Sequence, residues 1–152
     1  MHEISVIKHA KGALGLRFLG LGPGMRPTQG MLKLQILLSK HAFWSTNRNK
    51  RQLQKMLAKS SVVISIWDKK RLVGFGRATS DETFRAVLWD VVVANDVQGI
   101  GLGRLLVEAL LNAPEIKNVE RIYLMTTNCS QFYQQMGFHI SHSQKLLLIE
   151  KD

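Results

Sequence analysis

Between Trp89 and Asn112 the chain runs from Trp89-Asp90-Val91-Val92-Val93, through Gln98-Gly99-Ile100-Gly101-Leu102-Gly103, into a segment with Leu102, Leu105, Leu106, Ala109 and Leu110 at helical spacing. The first piece is apolar and β-branched, which reads as a central strand buried on both faces. The last reads as an amphipathic helix that Pro114 stops. A glycine-rich turn that feeds a buried strand directly into a helix gathers free backbone N–H groups and the positive end of the helix around one point, an arrangement that binds a phosphate group. Glycine serves there because a side chain would keep a ligand off the backbone and because such turns need φ > 0.

Two familiar phosphate loops do not fit. No Gly-Lys-Ser/Thr follows the glycines, which excludes a Walker-type loop. A dinucleotide-binding turn fails on the spacing of Gly101, Gly103 and Leu106, and the next strand ends in Thr126-Thr127 where an acidic ribose ligand is expected. A plain structural turn remains as the bland alternative.

The strand Phe84 to Val93 is preceded by Ser61 to Trp67, a polar turn at Asp68 to Arg71, and Leu72 to Thr79, so three antiparallel strands in a row are expected. Two amphipathic helices precede them. One runs from Met31 to His41, with Leu34, Leu37 and Leu38 on one face; the other covers Arg51 to Ala58 behind Asn49. After the glycine loop and its helix come a strand at Glu120 to Thr126, a short helix at Ser130 to Met136 and a final strand at Gln144 to Ile149. Residues 12 to 30 hold six of the 12 glycines together with Pro23 and Pro27, which reads as a loop-rich lead-in without regular structure. Its apolar residues Leu14, Leu16, Phe18, Leu19 and Leu21 fit a segment that covers the fold or meets a second copy, so a homodimer is an expectation. The division expected is 1–30 as lead-in packed on the domain and 31–152 as the domain itself.

Composition narrows the function classes. A chain of 152 residues buries a core without staples. One cysteine, Cys129, excludes an intrachain disulfide framework, reads as a small apolar filler and fits a reducing compartment. No stretch approaches the roughly 18 apolar residues of a spanning helix, and the N-terminus lacks a leader pattern, so a cytoplasmic location is expected. The charge of +10 comes from 21 Lys+Arg against 11 Asp+Glu spread along the chain. With no basic block, recognition helix or aromatic strand of the RNA-binding kind, nucleic acid is disfavoured as a partner. His41, His139 and His142 have no regular ligand spacing, so no metal is assigned.

Gln98-x-x-Gly101-x-Gly103 after a strand resembles the acetyl-CoA signature of the GNAT (GCN5-related) N-acetyltransferase superfamily. Phe132-Tyr133-Gln134-Gln135-Met136-Gly137-Phe138, about 30 residues on, resembles its second hallmark, an aromatic-Tyr pair followed by Gly-Phe. The resemblance covers residues 31 to 150. Arg77-Ala78-Thr79-Ser80-Asp81 and Trp89-Asp90-Val91-Val92-Val93 look like the cyanobacterial and plastid branch, which contains serotonin N-acetyltransferase-like enzymes and others acting on protein amines; this adds the plastid stroma as a location. The resemblance implies an α/β fold whose central mixed, mostly antiparallel sheet is flanked by helices and splayed between two adjacent strands, ending at Val93 and Thr126, to admit the pantetheine arm. It implies acetyl-CoA as acetyl donor. Gln98, Gly99, Gly101, Gly103 and Arg104 would hold its pyrophosphate, and backbone groups of Val91 and Val93 would meet pantetheine and acetyl carbonyl. Tyr133 falls at the usual general acid. Thr126 stands where the family often has Asn, with Asn128 two residues on; both are cofactor-contact candidates.

The chemistry of acetyl transfer to an amine asks for a neutral nucleophile, a donor for the developing oxyanion and a proton for the departing thiolate. Asp90 is the candidate base, since a carboxylate among Trp89, Val91, Val92 and Val93 would be desolvated and its pKa raised. The alternative is a structural ion pair with Arg77 or Arg85. For Tyr133 the alternative to acid is packing between Phe132 and Phe138. An arylalkylamine such as serotonin needs an aromatic-lined cleft, which Phe43, Trp44 or the lead-in can supply; a protein lysine or N-terminal amine needs an open groove. The rival function is a non-catalytic acetyl-CoA-binding regulatory module.

Overall fold

The structure, a computed structural model, describes residues 1–42, 44 and 47–151. Its centre is a five-stranded sheet in the order β1 (Ile4–Lys8), β2 (Val62–Asp68), β3 (Arg71–Ser80), β4 (Arg85–Val93) and β5 (Arg121–Tyr123). Every neighbouring pair is antiparallel except β4 and β5, which are parallel. Tight polar turns explain the antiparallel part. Lys69 takes the left-handed conformation (φ 54°) between β2 and β3. Between β3 and β4 the Asp81 carboxylate accepts hydrogen bonds from the backbone amides of Thr83, Phe84 and Arg85, an Asx-type turn. The parallel pair needs a crossover, and α4 (Leu102–Asn112) with α5 (Pro114–Lys117) supplies it.

Side chains alternate between the faces of a strand, and the two faces of β2 meet different helices. On one face Lys33 of α2 (Gly30–His41) lies 5.6 Å over the Trp67 ring. On the other, Gly76 of β3, the partner of Ile64, approaches Leu106 and Leu110 of α4 so closely that a Cβ there would sit 3.0 Å from Leu110. Helix α3 (Lys50–Ala58) packs on α2 and starts with a capping box: the Asn49 side chain accepts from the Gln52 amide (2.8 Å), and the Asn49 amide donates to the Gln52 side chain (2.9 Å). Leu34, Leu38, Leu53, Leu57, Ile64, Ile66, Phe75, Leu106 and Leu110 are fully buried in a continuous core. Two polar residues, Ser60 and Ser65, are buried among the described residues. Ser65 Oγ accepts from Trp67 Nε1 (2.8 Å) and bonds His9 Nε2 (2.7 Å), and burial pushes His9 down to about 4.

Three expectations need correction. The N-terminal residues supply an edge strand, β1, that sequence patterning did not show. Residues 12–30 are more ordered than their glycines suggested: they contain α1 (Leu14–Leu19), a 3-10 turn at Pro23–Met25 and an isolated bridge between Leu21 and Pro27. Gly20 closes α1 in the left-handed conformation, and Ala13 and Leu16 are buried against the helices behind. Finally, Gln144 to Ile149 forms no strand. Leu146, Leu147, Leu148 and Ile149 are 71–89% exposed, because the sheet ends at the three-residue β5 and the segment has no ladder to join.

Candidate active site

In the β3–β4 ladder the register passes from Phe75↔Val92 to Arg77↔Trp89, so β4 carries one residue more than β3 at Asp90-Val91. This is a β-bulge, and Asp90 sits in it with φ 54°. Asp is one of the few non-glycine residues that enters the left-handed region readily. Its side chain is only 4% exposed and takes three donors. Arg77 Nε donates to Oδ2 (2.7 Å), while Arg48 Nη1 and Trp44 Nε1 both donate to Oδ1 (3.0 Å each). Of the two ion pairs anticipated as the alternative to a base, the one with Arg77 forms; Arg85 instead faces Glu120 at 3.5 Å. The expected rise in the Asp90 pKa is reversed. Burial does push the carboxyl upward, but the Arg77 hydrogen bond and charge, with Arg48 and Trp44 beside them, outweigh it and hold the carboxyl below its ordinary range.

The network also brings together residues that the sequence did not connect. Arg48 was read only as part of a dispersed basic surface, yet it ties the segment between α2 and α3 to the bulge. Trp44, half-exposed, stands beside Asp90 and was anticipated only as one source of aromatic lining. No local periodicity links a loop to a strand some 40 residues on, so this contact had no sequence signal. Phe43 lies outside the described residues.

Beyond the bulge the sheet opens. The β4–β5 ladder has only the pairs Arg85↔Arg121, Ala86↔Ile122 and Val87↔Tyr123, whereas β4 continues to Val93. The glycine loop stands at the end of this opening. Gly99 (φ 85°) and Gly101 (φ 90°) are left-handed, and a Cβ on either would meet nothing within 4 Å. Gly101 is the N-cap of α4 and has no side chain to satisfy the first-turn amides, the first intrahelical bond being Leu105 N to Gly101 O. The loop thus presents bare backbone donors and a helix dipole to the cleft, which fits a pyrophosphate. Gly103 plays a different part: a Cβ there would lie 3.4 Å from the Phe132 ring and 4.0 Å from Val93, so β4, α4 and α6 (Ser130–Gln135) meet at this corner.

Gln98 braces the loop, its Nε2 donating to Val93 O and to Asn95 Oδ1 (3.1 Å each). Arg104 is exposed and pairs with Glu108 one turn along the helix (2.9 Å). Val91 and Val93 are half-buried on β4, packed against the core. At the far side of the opening the Thr126 hydroxyl accepts from the Cys129 amide (3.0 Å) and the Cys129 thiol contacts Asn128 Oδ1 (3.3 Å), both devices that turn the chain into α6. Cys129 is exposed, not the apolar filler expected of it.

Tyr133 follows Phe132 on α6. Its ring is wedged edge-on between Phe132 (5.0 Å) and Phe138 (5.8 Å), so the packing role exists. Burial pushes its phenol up to about 12, with Cys129 adding in the same direction, and the group stays protonated throughout the neutral range. The arrangement can therefore hold an anion at the loop, and the protonated Tyr133 stands on α6, which meets the start of α4 at Gly103.

Comparison with known proteins agrees with this geometry. The family model described as Acetyltransferase (GNAT) domain matches residues 59–140, more than half the chain. The uncharacterized N-acetyltransferase ycf52 of Pyropia yezoensis is 40% identical over 97 residues, covering 59% of this chain and 56% of the relative. GCN5-related N-acetyltransferase 2, chloroplastic, of Arabidopsis thaliana is 44% identical over 71 residues, 46% of this chain and 28% of the relative. The chain thus spans about half or less of the length of these relatives. Among solved structures, a GNAT-family acetyltransferase of Streptococcus pneumoniae superposes with a TM-score of 0.71 at 19% identity, covering 99% of this chain and 100% of that one, which shows the fold. With the family model spanning β2 through α6, and with it the bulged strand, the glycine loop and the tyrosine helix, the chain belongs to the GNAT acetyltransferases, in the branch of the plastid-type relatives.

Proposed function

We propose that the chain is an N-acetyltransferase that moves the acetyl group of acetyl-CoA to a primary amine by direct attack. The observation that carries this reading is the uncapped, glycine-lined start of α4 beside the parted strands β4 and β5, with the helix that carries the protonated Tyr133 packed against it at Gly103. Acetyl-CoA supplies the activated acyl carbon. The amides of Gly99, Gly101 and Gly103, with Gln98 bracing them and Arg104 at the rim, hold the pyrophosphate; backbone groups of Val91 and Val93 orient the acyl end; Thr126 and Asn128 border the far wall. Tyr133 keeps its proton at Oη for the departing sulfur.

Asp90 is a positioning residue in this reading. A carboxylate with both oxygens in ion pairs is a poor proton acceptor, so the acceptor amine enters already neutral and Asp90 fixes the bulge and Trp44 beside it. The half-exposed Trp44 supports an arylalkylamine such as serotonin over a protein lysine or N-terminal amine. The plastid stroma or cytoplasm is the compartment that fits; the chloroplastic Arabidopsis relative supports the former, and no helix among the described residues is long and apolar enough to cross a membrane.

The test is release of CoA thiol from acetyl-CoA with serotonin, tryptamine, spermidine and lysine peptides, comparing the wild type with Tyr133→Phe. Amine-dependent release, cut at least about 100-fold in kcat by the variant with unchanged acetyl-CoA affinity, is expected. Tight acetyl-CoA binding without release by any amine would replace this reading with a regulatory binding module.

A further inference from the structure

A second concavity lies on the α2 face of the sheet, at the Val93 end of β4 and beneath the C-terminal half of α2. It is an open depression of about 380 Å³, within the size range of small-ligand sites, and borders on Ala94, one residue past β4. Its rim is cationic: Lys33, Lys40, Lys70 and Arg71 reach it, with the His41 ring beside them. Its floor is apolar, built by Ile36, Leu37 and Leu72. No carboxylate lines it.

The hydrogen bonds on the page show which of these charges are spent. Arg71 spends both terminal nitrogens on the Asp96 carboxylate (2.6 Å each). Lys33 Nζ donates to the Lys70 carbonyl (2.5 Å), which fixes its ammonium at the rim with donors to spare. Lys40 and Lys70 make no ion pair with a described residue. The Nδ1 of His41 accepts the Asn95 amide (3.2 Å), which leaves Nε2 as the donor. Crowding like charges around an apolar floor costs free energy unless an anion sits among them. Apart from His41 Nδ1, already engaged by the Asn95 amide, every side-chain polar group on the rim is a donor.

We infer that this concavity binds a phosphate ester with a compact apolar body, of the size of a nucleoside monophosphate, at a site distinct from the glycine loop. The phosphate lies between Lys40 and Lys70, and the body covers Leu37 and Leu72. The two sites are connected: His41 bonds the Asn95 amide, and the Asn95 side chain accepts from Gln98, which braces the glycine loop. Occupancy here steadies the strand-to-loop corner from the face opposite α4.

The experiment is calorimetric titration of AMP, and of inorganic phosphate alone, into the whole chain with and without saturating acetyl-CoA, for the wild type and for Lys40→Glu/Lys70→Glu. Both lysines are exposed, so the double variant keeps the fold, which its melting curve verifies. The expected result is one AMP per chain with acetyl-CoA present, tighter than phosphate, weakened by salt and weakened on the order of tenfold or more by the double variant. Absence of AMP binding, loss of it when acetyl-CoA saturates the protein, or indifference to the double variant each overturns the inference. In the titration without acetyl-CoA, the binding that the double variant removes reads this site even if the acetyltransferase reading fails, so the two failures are distinguishable.

Discussion

Replacing Asp90 by Asn tests the reading of the bulge most directly. Asn keeps the size of the side chain and tolerates φ 54°, so the backbone is undisturbed. What changes is charge. Asn has one acceptor oxygen, so of the donors from Trp44, Arg48 and Arg77 at least one loses its partner, and two guanidinium groups lose their counter-ion. Arg77 is 15% exposed and cannot move to water, whereas Arg48 at 32% recovers part of its hydration. Breaking a buried pair costs about 3–5 kcal/mol, and the partial exposure of Arg48 places this case near about 3. For a domain of this length that is a fall in Tm of about 6–12 °C. Asp90→Ala should lose about 1–2 kcal/mol more, since alanine resists the left-handed region. Urea and thermal unfolding followed by circular dichroism, beside kcat/KM against pH, provide the assay. Both Asp90 variants should retain the rise of kcat/KM with pH that follows the free amine. An Asn variant as stable as the wild type but slowed 100-fold or more would refute the reasoning and make Asp90 the base.

The other predictions concern separate regions. His9 is neutral in the fold, with its pKa lowered from 6.5 to about 4, so between those values the unfolded chain binds the extra proton; stability is complete above pH 6.5 and declines by up to about 3 kcal/mol as pH falls to 4. Urea midpoints at pH 7 and 4.5 check this, and His9→Gln should flatten the difference. Gly101→Ala meets no steric obstacle but forces a methyl-bearing residue to φ 90°; a stability loss of about 1 kcal/mol and a weakening of acetyl-CoA binding on the order of tenfold are expected by calorimetry. Asn49→Ala removes the capping box and should lower stability by about 1 kcal/mol without altering acetyl-CoA affinity, as denaturant titration will show.

Where local patterning and tertiary packing agree, the elements were legible. The β2–β3–β4 meander, α2, α3 and α4 lie within a residue or two of their sequence-based bounds because each has a clear period and a chemical stop. The glycine loop was legible as a turn that needs left-handed residues because Gly99 and Gly101 do what only glycine does cheaply. The rest depended on partners distant in sequence. β1 is a strand because β2 offers it an edge, and Gln144–Ile149 is not one because β5 offers too little. The sign of the Asp90 shift turned on two arginines, one 13 and one 42 residues away, of which patterning could nominate only the nearer.

The seam between β4 and β5 has a consequence for motion. Three residue pairs join strands whose connection runs through the whole of α4 and α5, and α6 with Tyr133 hangs from the far strand. Parallel pairing across so long a connection is closed late and opened early, so backbone amides of Arg121–Tyr123 should exchange with solvent well before those of β2 and β3. A ligand that bridges β4 to the start of α4 then acts as a further rung of the sheet. At a hundredfold excess over its dissociation constant such a ligand adds about 2.7 kcal/mol, a clasp that protects this edge of the sheet from unravelling.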